Sequence, residues 1–257
     1  VVLGILASMT WLRASLWSDN DKLELYWVQS ATDSPRAINA VAAFYINNGD
    51  YEKANDYLLA ASQRLPQSSL LTARLLLQKV WVGQATEQDF VQAGERLRLQ
   101  QFDAQTVKSV RTLVEHVVSS NVASNSADYA RYSLNLLEAM ESSPVYGQFP
   151  LFVRLVAYLR ARLYLHIGDV AQAYEYYSLA MSRYQETDAA LAMVAEMGSA
   201  GYPQEALSLL VQANEVLARQ DSRKLRRSRA SYEQDVAYLE DTLKEAQASQ
   251  GSAMEAP

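Results

Sequence analysis

The sequence contains no cysteine and only two histidines, nine glycines and six prolines among its 257 residues. The absence of cysteine excludes disulfide bonds, thiolate metal sites and cysteine nucleophiles within this chain. The scarcity of glycine and proline argues against a β-sandwich or β-barrel, because those folds need a turn about every ten residues. The remaining composition, 49% hydrophobic and 20% charged, excludes disorder throughout the chain.

The sequence also lacks the motifs of phosphate-binding loops, zinc sites and nucleophile elbows. His116 and His166 each lie in a stretch predicted to be helical, where a lone histidine is more often a packing or surface residue. The formal net charge of −6 argues against a dedicated nucleic-acid binder. We therefore expect no catalytic residues, no metal, no cofactor and no nucleic-acid ligand for this chain.

Residues 1–12 carry no charge and are mostly apolar, and Arg13 ends the run between Trp11 and Trp17. Twelve helical residues extend about 18 Å, which is less than the roughly 20 residues that a bilayer requires. We interpret residues 1–17 as the end of a transmembrane or interfacial helix, with the tryptophans and the arginine at the membrane interface. The alternative is a buried helix that begins the soluble fold.

The charges that follow the apolar run indicate on which side of the membrane the soluble part lies. Asp19, Asp21 and Glu24 outnumber Lys22 in this segment. Cytoplasmic flanks of membrane helices are usually enriched in lysine and arginine. The acidic balance therefore predicts an extracytoplasmic location for the soluble part, which is the periplasm if the protein is bacterial.

The clearest pattern is a helix–turn–helix unit over residues 35–68. Ser34 can cap the first helix, and Pro35 occupies its first position, where a missing N–H costs nothing. Gly49 supplies the left-handed residue that ends this helix. Large and small residues alternate at helical spacing through the unit, namely Ile38, Val41, Ala42, Tyr45, Ala54, Leu58 and Ala61, with Pro66 closing it.

The same pattern returns over residues 154–187 and again over 187–218. The matching positions are Ala161, Tyr164, Gly168, Ala173, Tyr177 and Ala180 in the second copy, and Gly201, Ala206, Leu210 and Ala213 in the third. The pattern resembles the tetratricopeptide repeat (TPR), a 34-residue helix–turn–helix unit. The resemblance implies an all-α, TPR-like α-solenoid with a concave groove that binds a partner.

The rest of the chain is predicted to continue the same architecture. Residues 69–143 match more weakly, and we expect degenerate TPR-like hairpins there, with helices over about 69–82, 87–99, 103–119 and 126–142. The superhelix is thus expected to cover residues 18–219. Residues 220–247 carry one apolar stripe on a charged helix, which is typical of a helix that caps a solenoid. Residues 248–257 are small and polar, and we expect a disordered tail.

The resemblance also indicates which side chains line the groove, where a protein or peptide segment is the expected ligand. These residues are Arg36, Asn39, Asn47, Tyr158 and Arg162. TPR grooves that clamp a terminal carboxylate carry Lys at position 5 and Asn at position 9. The first copy has Asn39 and Ala43 there, and the second has Tyr158 and Arg162, so that binding mode is not supported.

A second candidate surface is a dense group of cations near the predicted capping helix. Its members are Arg219, Arg223, Lys224, Arg226, Arg227 and Arg229. Such a basic patch could meet anionic lipid headgroups or an acidic partner. The alternative is a solvated helix face that pairs with neighbouring acidic side chains.

A wider resemblance joins the apolar start to the first repeat. The run Trp11-Leu-Arg-Ala-Ser-Leu-Trp17 followed by Ser34-Pro35-Arg36 resembles the junction of polytopic transmembrane-and-TPR proteins, in which a GT-C glycosyltransferase-like portion precedes an extracytoplasmic TPR domain. Our leading hypothesis is a non-catalytic TPR scaffold for protein–protein interaction, the soluble part of a membrane-anchored protein. The alternatives are an acceptor-recruiting domain of a membrane glycosyltransferase whose catalytic part lies outside this chain, and a cytosolic TPR adaptor.

Overall fold

The computed structural model describes residues 2–18, 26, 31–119 and 126–254, which form twelve α-helices, two short 3-10 helices and no β-strand. The prediction of an all-α solenoid of helix–turn–helix repeats is confirmed. The helices are α1 Val2–Trp17, α2 Pro35–Asn47, α3 Tyr51–Arg64, α4 Ser69–Trp81, α5 Glu87–Leu99, α6 Ala104–Ser119, α7 Ser126–Glu141, α8 Pro150–His166, α9 Val170–Tyr184, α10 Thr187–Ser199, α11 Pro203–Arg219 and α12 Arg229–Met254.

The chain divides into two compact units. Unit 1 comprises Val1–Asn125 with Glu138–Tyr146, and unit 2 comprises Ser126–Leu137 with Gly147–Pro257. Each unit has helical hairpins whose successive helices pack together.

The first hairpin of unit 1 forms as the repeat pattern predicts. Ser34 Oγ accepts a hydrogen bond from the Ala37 amide, and Pro35 begins α2. Gly49 adopts a φ of 79° at the turn, a conformation that favours glycine. The repeat residues that pack α2, α3 and α4 into one apolar cluster are Ile38, Ala42, Leu58, Ala61 and Leu71.

The weaker region of unit 1 is helical too. The helices predicted over 69–82, 87–99 and 103–119 are observed within one residue of those bounds as α4, α5 and α6. The α4–α5 turn contains Gly83 in the left-handed region, and Thr86 and Asp89 form a reciprocal capping box at the start of α5.

Unit 2 contains the second and third clear repeats. Gly168 and Gly201 both have positive φ at the turns of the α8–α9 and α10–α11 hairpins. The small residues let the helices approach closely, because a methyl side chain leaves room for the larger side chains between them. The predicted small residues Ala161, Ala173, Ala180, Ala206 and Ala213 are all fully buried.

The final helix differs in its bounds from the prediction. Residues 220–247 were expected to form one helix, but a 3-10 turn occupies Ser222–Lys224 and α12 begins at Arg229. Asp221 accepts a hydrogen bond from the Arg223 amide at 2.9 Å, which stabilises the turn instead of a continuous helix. The helix then continues to Met254, so residues 248–254 are helical rather than a disordered tail. Residues 255–257 lie outside the described residues.

The N-terminal helix α1 differs from the others in its surroundings. Its large apolar side chains are exposed on every side, including Leu3 at 83%, Trp11 at 70% and Trp17 at 76%. The alternative that this segment is a buried first helix is therefore wrong. Nowhere in the part of the chain that the structure describes is a helix both long enough and apolar enough to cross a membrane.

Candidate functional site

A polar stripe runs along α8, the first helix of the second repeat. Arg154, Tyr158 and Arg162 follow one another at a spacing of four residues, which puts them on one helix face. Phe152 and Val156 lie on other faces of α8 and are buried. The polar stripe is half-buried, with about a quarter of the Arg154 and Arg162 side chains exposed.

Glu196 on α10 connects this stripe to the neighbouring helices. The Tyr158 hydroxyl donates to Glu196 Oε1 at 2.6 Å, and the Tyr177 hydroxyl on α9 donates to Oε2 at 2.7 Å. Burial raises the pKa of both phenols well above the ordinary value, and the carboxylate of Glu196 raises it further. Both phenols therefore stay neutral donors, and one carboxylate joins three helices.

Arg162 contacts the same carboxylate only loosely. Its Nε lies 3.8 Å from Glu196 Oε2, and its guanidinium carbon lies 5.8 Å from the centre of the Tyr158 ring. A separation of 3.8 Å is an ion pair and not a hydrogen bond. Since the two phenols already donate to Glu196, Arg162 retains N–H donors for a further acceptor.

Arg154 and Tyr184 extend the stripe. The Arg154 guanidinium carbon lies 4.3 Å from the centre of the Tyr184 ring, and the Tyr184 and Tyr158 rings meet edge to face at 6.4 Å. Arg154 Nη1 is 3.5 Å from Glu186 Oε1, and its buried Nε has no hydrogen-bond partner. The members of this α8 surface, as we name it, are Arg154, Tyr158, Arg162, Tyr184 and Glu196.

The α8 surface has the chemistry of a recognition site. Tyrosine rings offer contact area with a polar edge, and arginine offers a planar fork of donors. Its donors exceed the acceptors that neighbouring side chains supply, because Glu196 is shared among Tyr158, Tyr177 and Arg162. Such a surface suits a segment that presents carbonyl or carboxylate oxygens.

The three groove residues predicted in the first repeat do not form a comparable network. Arg36 and Asn47 are exposed, and Asn39 is half-buried with its Oδ1 atom lacking a partner. Within the described ranges, no hydrogen bond connects these three side chains. The structure thus brings together the two predicted groove residues of the second repeat, Tyr158 and Arg162, and not those of the first.

Part of the basic patch has a structural role. Arg229 donates to the carbonyl oxygens of Leu217 at 2.7 Å and Gln220 at 2.9 Å, which satisfies the open end of α11. Arg227 pairs with Asp235 at 2.7 Å and lies over the Tyr232 ring. Through these contacts the two arginines stabilise the start of α12.

The other members of the basic patch are exposed. Arg219 pairs with Glu215 at 2.8 Å, and Arg226 lies 3.8 Å from Asp188. Arg223 and Lys224 in the 3-10 turn form no ion pair with any residue that the structure describes. Several members of the basic patch therefore pair with neighbouring acidic side chains, as in the alternative interpretation.

Neither histidine is a member of the α8 surface. The His116 ring meets Trp81 edge to face at 6.3 Å, and His166 Nε2 lies 3.2 Å from Ser126 Oγ. Burial lowers the pKa of both rings. Among the described residues, no group of three metal-ligating side chains comes together.

Sequence reasoning missed Arg154, Tyr184 and Glu196. The spacing of Arg154, Tyr158 and Arg162 was visible in the sequence and could have identified the stripe. Glu196 had no such signal, because it reaches Tyr158 across 38 residues by the stacking of one hairpin on the next.

Comparisons with known proteins do not place the chain in a family. No protein-family model matches it, and no curated protein matches it significantly.

Proposed function

We propose that this chain is a non-catalytic, TPR-like scaffold that binds a protein segment on the α8 surface. The observation that carries the proposal is the shared carboxylate of Glu196, which accepts both tyrosine hydroxyls and leaves Arg162 with open donors. A ligand that offers oxygen acceptors to Arg162 and a flat apolar group to Tyr158 fits this arrangement.

The geometry supports binding because the contact residues are already held in place. Tyr158 is fixed by its hydroxyl and by the edge of the Tyr184 ring, so little side-chain freedom remains to be lost when a ligand arrives. Tyrosine and arginine are also the residue types that dominate binding energy at protein interfaces.

The proposal is tested by capturing partners with the full chain and comparing three variants. Arg162→Ala removes the open donors, and Tyr158→Phe removes only the hydroxyl that anchors the ring. We expect the captured partner to bind Arg162→Ala about tenfold more weakly, equivalent to about 1.4 kcal/mol, and Tyr158→Phe more weakly by a smaller factor. Tyr238→Phe, an exposed tyrosine on α12, is the matched control and should bind normally. Equal binding by all three variants would exclude the α8 surface.

We also propose that α1 attaches the protein to a membrane, with the repeats on the extracytoplasmic side. The exposed apolar side chains of α1 and the exposed Trp11 and Trp17 flanking Arg13 support the attachment. The acidic residues that follow α1 in the sequence, Asp19, Asp21 and Glu24, support the extracytoplasmic location. The acceptor-recruiting role in a glycosyltransferase stays a prediction of the resemblance.

A further inference from the structure

Unit 1 contains a partly buried arginine, Arg74 on α4, that pairs with no carboxylate among the described residues. Arg74 lies among buried neighbours along α4, including Ala73, Leu76 and Leu77. Its Nε atom is buried and has no hydrogen-bond partner. Burial alone lowers the pKa of this guanidinium, and no nearby carboxylate opposes the shift. A partly buried cation gains from an anionic partner, because removing a charge from water without one is costly.

Trp81 covers one face of the Arg74 guanidinium. The guanidinium carbon lies 5.0 Å from the centre of the Trp81 ring, and the two residues are seven positions apart on one side of α4. A cation stacked on an aromatic face keeps its N–H donors in its own plane, where they can meet a further ligand. His116 meets Trp81 from α6 and helps to hold the indole.

The side chains around Arg74 do not satisfy these donors. Gln78 lies one turn further along α4, but its amide donates to the Tyr51 carbonyl at 3.3 Å and its buried Oε1 has no partner. Lys79, on the same helix, shows the ordinary arrangement, since its ammonium pairs with Asp89 Oδ1 at 2.6 Å. In the described part of the chain, no carboxylate lies within ion-pair distance of Arg74.

The charge and shape of this position favour a carboxylate over other anions. A planar guanidinium matches a planar carboxylate with two parallel hydrogen bonds. Anionic membranes and doubly charged phosphates are bound by clusters of cations, whereas Arg74 is a single charge and its neighbour Lys79 is already paired.

We propose that Arg74 and Trp81 form a binding site for a carboxylate side chain, an aspartate or glutamate of an acidic peptide segment. The carboxylate accepts the in-plane donors of Arg74 while Trp81 packs against the chain that carries it. This site belongs to unit 1, and the proposal does not depend on the function proposed for the α8 surface.

The test follows the Nε–Hε resonance of Arg74 in the full chain by NMR, assigned by its loss in Arg74→Gln. The probe is a (Glu-Gly)5 peptide with both ends blocked, and the matched peptide is (Gln-Gly)5, which keeps the shape and lacks the charge. We expect a saturable shift of the Arg74 resonance with the glutamate peptide alone. In the Arg162→Ala background, which removes the open donors of the α8 surface, Arg74→Gln should bind that peptide at least about tenfold more weakly, and Arg74→Lys should not restore the affinity.

Two controls separate this site from other surfaces. Arg98→Gln, which removes an exposed arginine of α5, should bind the glutamate peptide normally, and Arg162→Ala should leave the Arg74 shift unchanged even if it abolishes binding at the α8 surface. The proposal is overturned if both peptides shift Arg74 equally, if neither does, or if adding Arg74→Gln to Arg162→Ala leaves the affinity for the glutamate peptide unchanged. It is also overturned if inorganic phosphate or phosphatidylserine vesicles shift Arg74 while the glutamate peptide does not. Should Arg74→Gln fail to fold, Arg74→Lys, which also lacks the Nε–Hε group, assigns the resonance, and the shifts of the native chain with the two peptides decide the outcome.

Discussion

At the scale of single residues, carboxylates that accept tyrosine hydroxyls join neighbouring first helices in unit 2. Tyr158 of α8 donates to Glu196 of α10, and Tyr232 of α12 donates to Asp188 of α10 at 2.9 Å. Tyr232 is fully buried and the other three side chains are half-buried, and in such positions a hydrogen bond to a charged group contributes more than at the surface. The chain has 16 tyrosines, and these examples show that tyrosine forms hydrogen bonds between helices in addition to packing.

The first residue-scale prediction concerns Glu196→Gln. The amide retains one acceptor oxygen, so one of the two phenols loses its partner, and we expect a loss of about 1–3 kcal/mol in the free energy of unfolding. The measurement is chemical denaturation at neutral pH. Glu215→Gln, which removes an exposed partner of Arg219, is the control and should change stability by less than about 0.5 kcal/mol. Equal losses in the two variants would mean that the shared carboxylate adds nothing beyond an exposed ion pair.

The same carboxylate also governs the response to high pH. The folded pKa values of Tyr158 and Tyr177 lie above the unfolded value of about 10, so their contribution to stability is complete below pH 10 and is lost as the pH rises above it. Removing the charge of Glu196 lowers both folded pKa values. Burial still keeps both values above 10, so the unfolding free energy of Glu196→Gln should begin to decline at the same pH as that of the native chain and stop declining at a lower pH.

At the scale of elements, α12 takes the place of the first helix of a further repeat. It runs alongside α10, with Tyr232 bonded to Asp188 near one end and Gln250 donating to the Gly201 carbonyl at the other. Between these contacts, Leu243 of α12 packs directly on Gly198. The apolar stripe predicted for this helix is the part that packs, whereas its bounds depend on contacts of Asp221 and Arg229 that no periodicity reveals.

The element-scale prediction is a reversal of sign at Gly198. A Cβ atom at this position would lie 2.5 Å from Leu243 Cδ2, so Gly198→Ala should destabilise the native chain even though alanine is the better helix former. Leu243→Ala alone should cost about 2–5 kcal/mol, because that side chain is buried. In the Leu243→Ala background the clash is gone, and Gly198→Ala should become neutral or stabilising. The four unfolding free energies form a double-mutant cycle, and simple additivity would contradict the contact.

The elements also show how far sequence reasoning extends. Glycine at the turns and alanine at the helix crossings were enough to predict the hairpins, because each has a local steric cause. The sites on α8 and α4 could not be predicted from such local steric causes. Glu196 and the stacking of Arg74 on Trp81 depend on how hairpins pack and on which charges are left without partners.

At the scale of the whole molecule, α1 differs from the other helices of unit 1 because its large apolar side chains are exposed. An interfacial helix normally has a charged face and an apolar face. Residues 2–12 of α1 have no charge on any face. The apolar interior of a membrane would therefore cover this helix more completely than the membrane surface, which contacts only one face.

The whole-molecule prediction is that the full chain floats with phospholipid vesicles in a density gradient. Leu6→Asp puts a charge into the exposed apolar part of α1, and we expect most of that variant to stay in the aqueous fraction, because a charge within a membrane costs about 2.5–3.5 kcal/mol. Leu99→Asp makes the same change at an exposed leucine of α5 and should float like the native chain. Flotation of both variants, or of neither the variants nor the native chain, would contradict membrane attachment through α1.

The position of α12 has a consequence for self-association. The apolar surface that Tyr232, Val236 and Leu243 cover belongs to the last repeat, and an uncovered repeat end can accept the beginning of a similar repeat from another molecule. Contacts of that head-to-tail kind do not close, and they generate open-ended fibres. The outward face of α12 carries Glu233, Asp241 and Glu245 in exposed positions, and these charges oppose such growth. The charges on α12 therefore oppose the stacking of a second molecule on this helix.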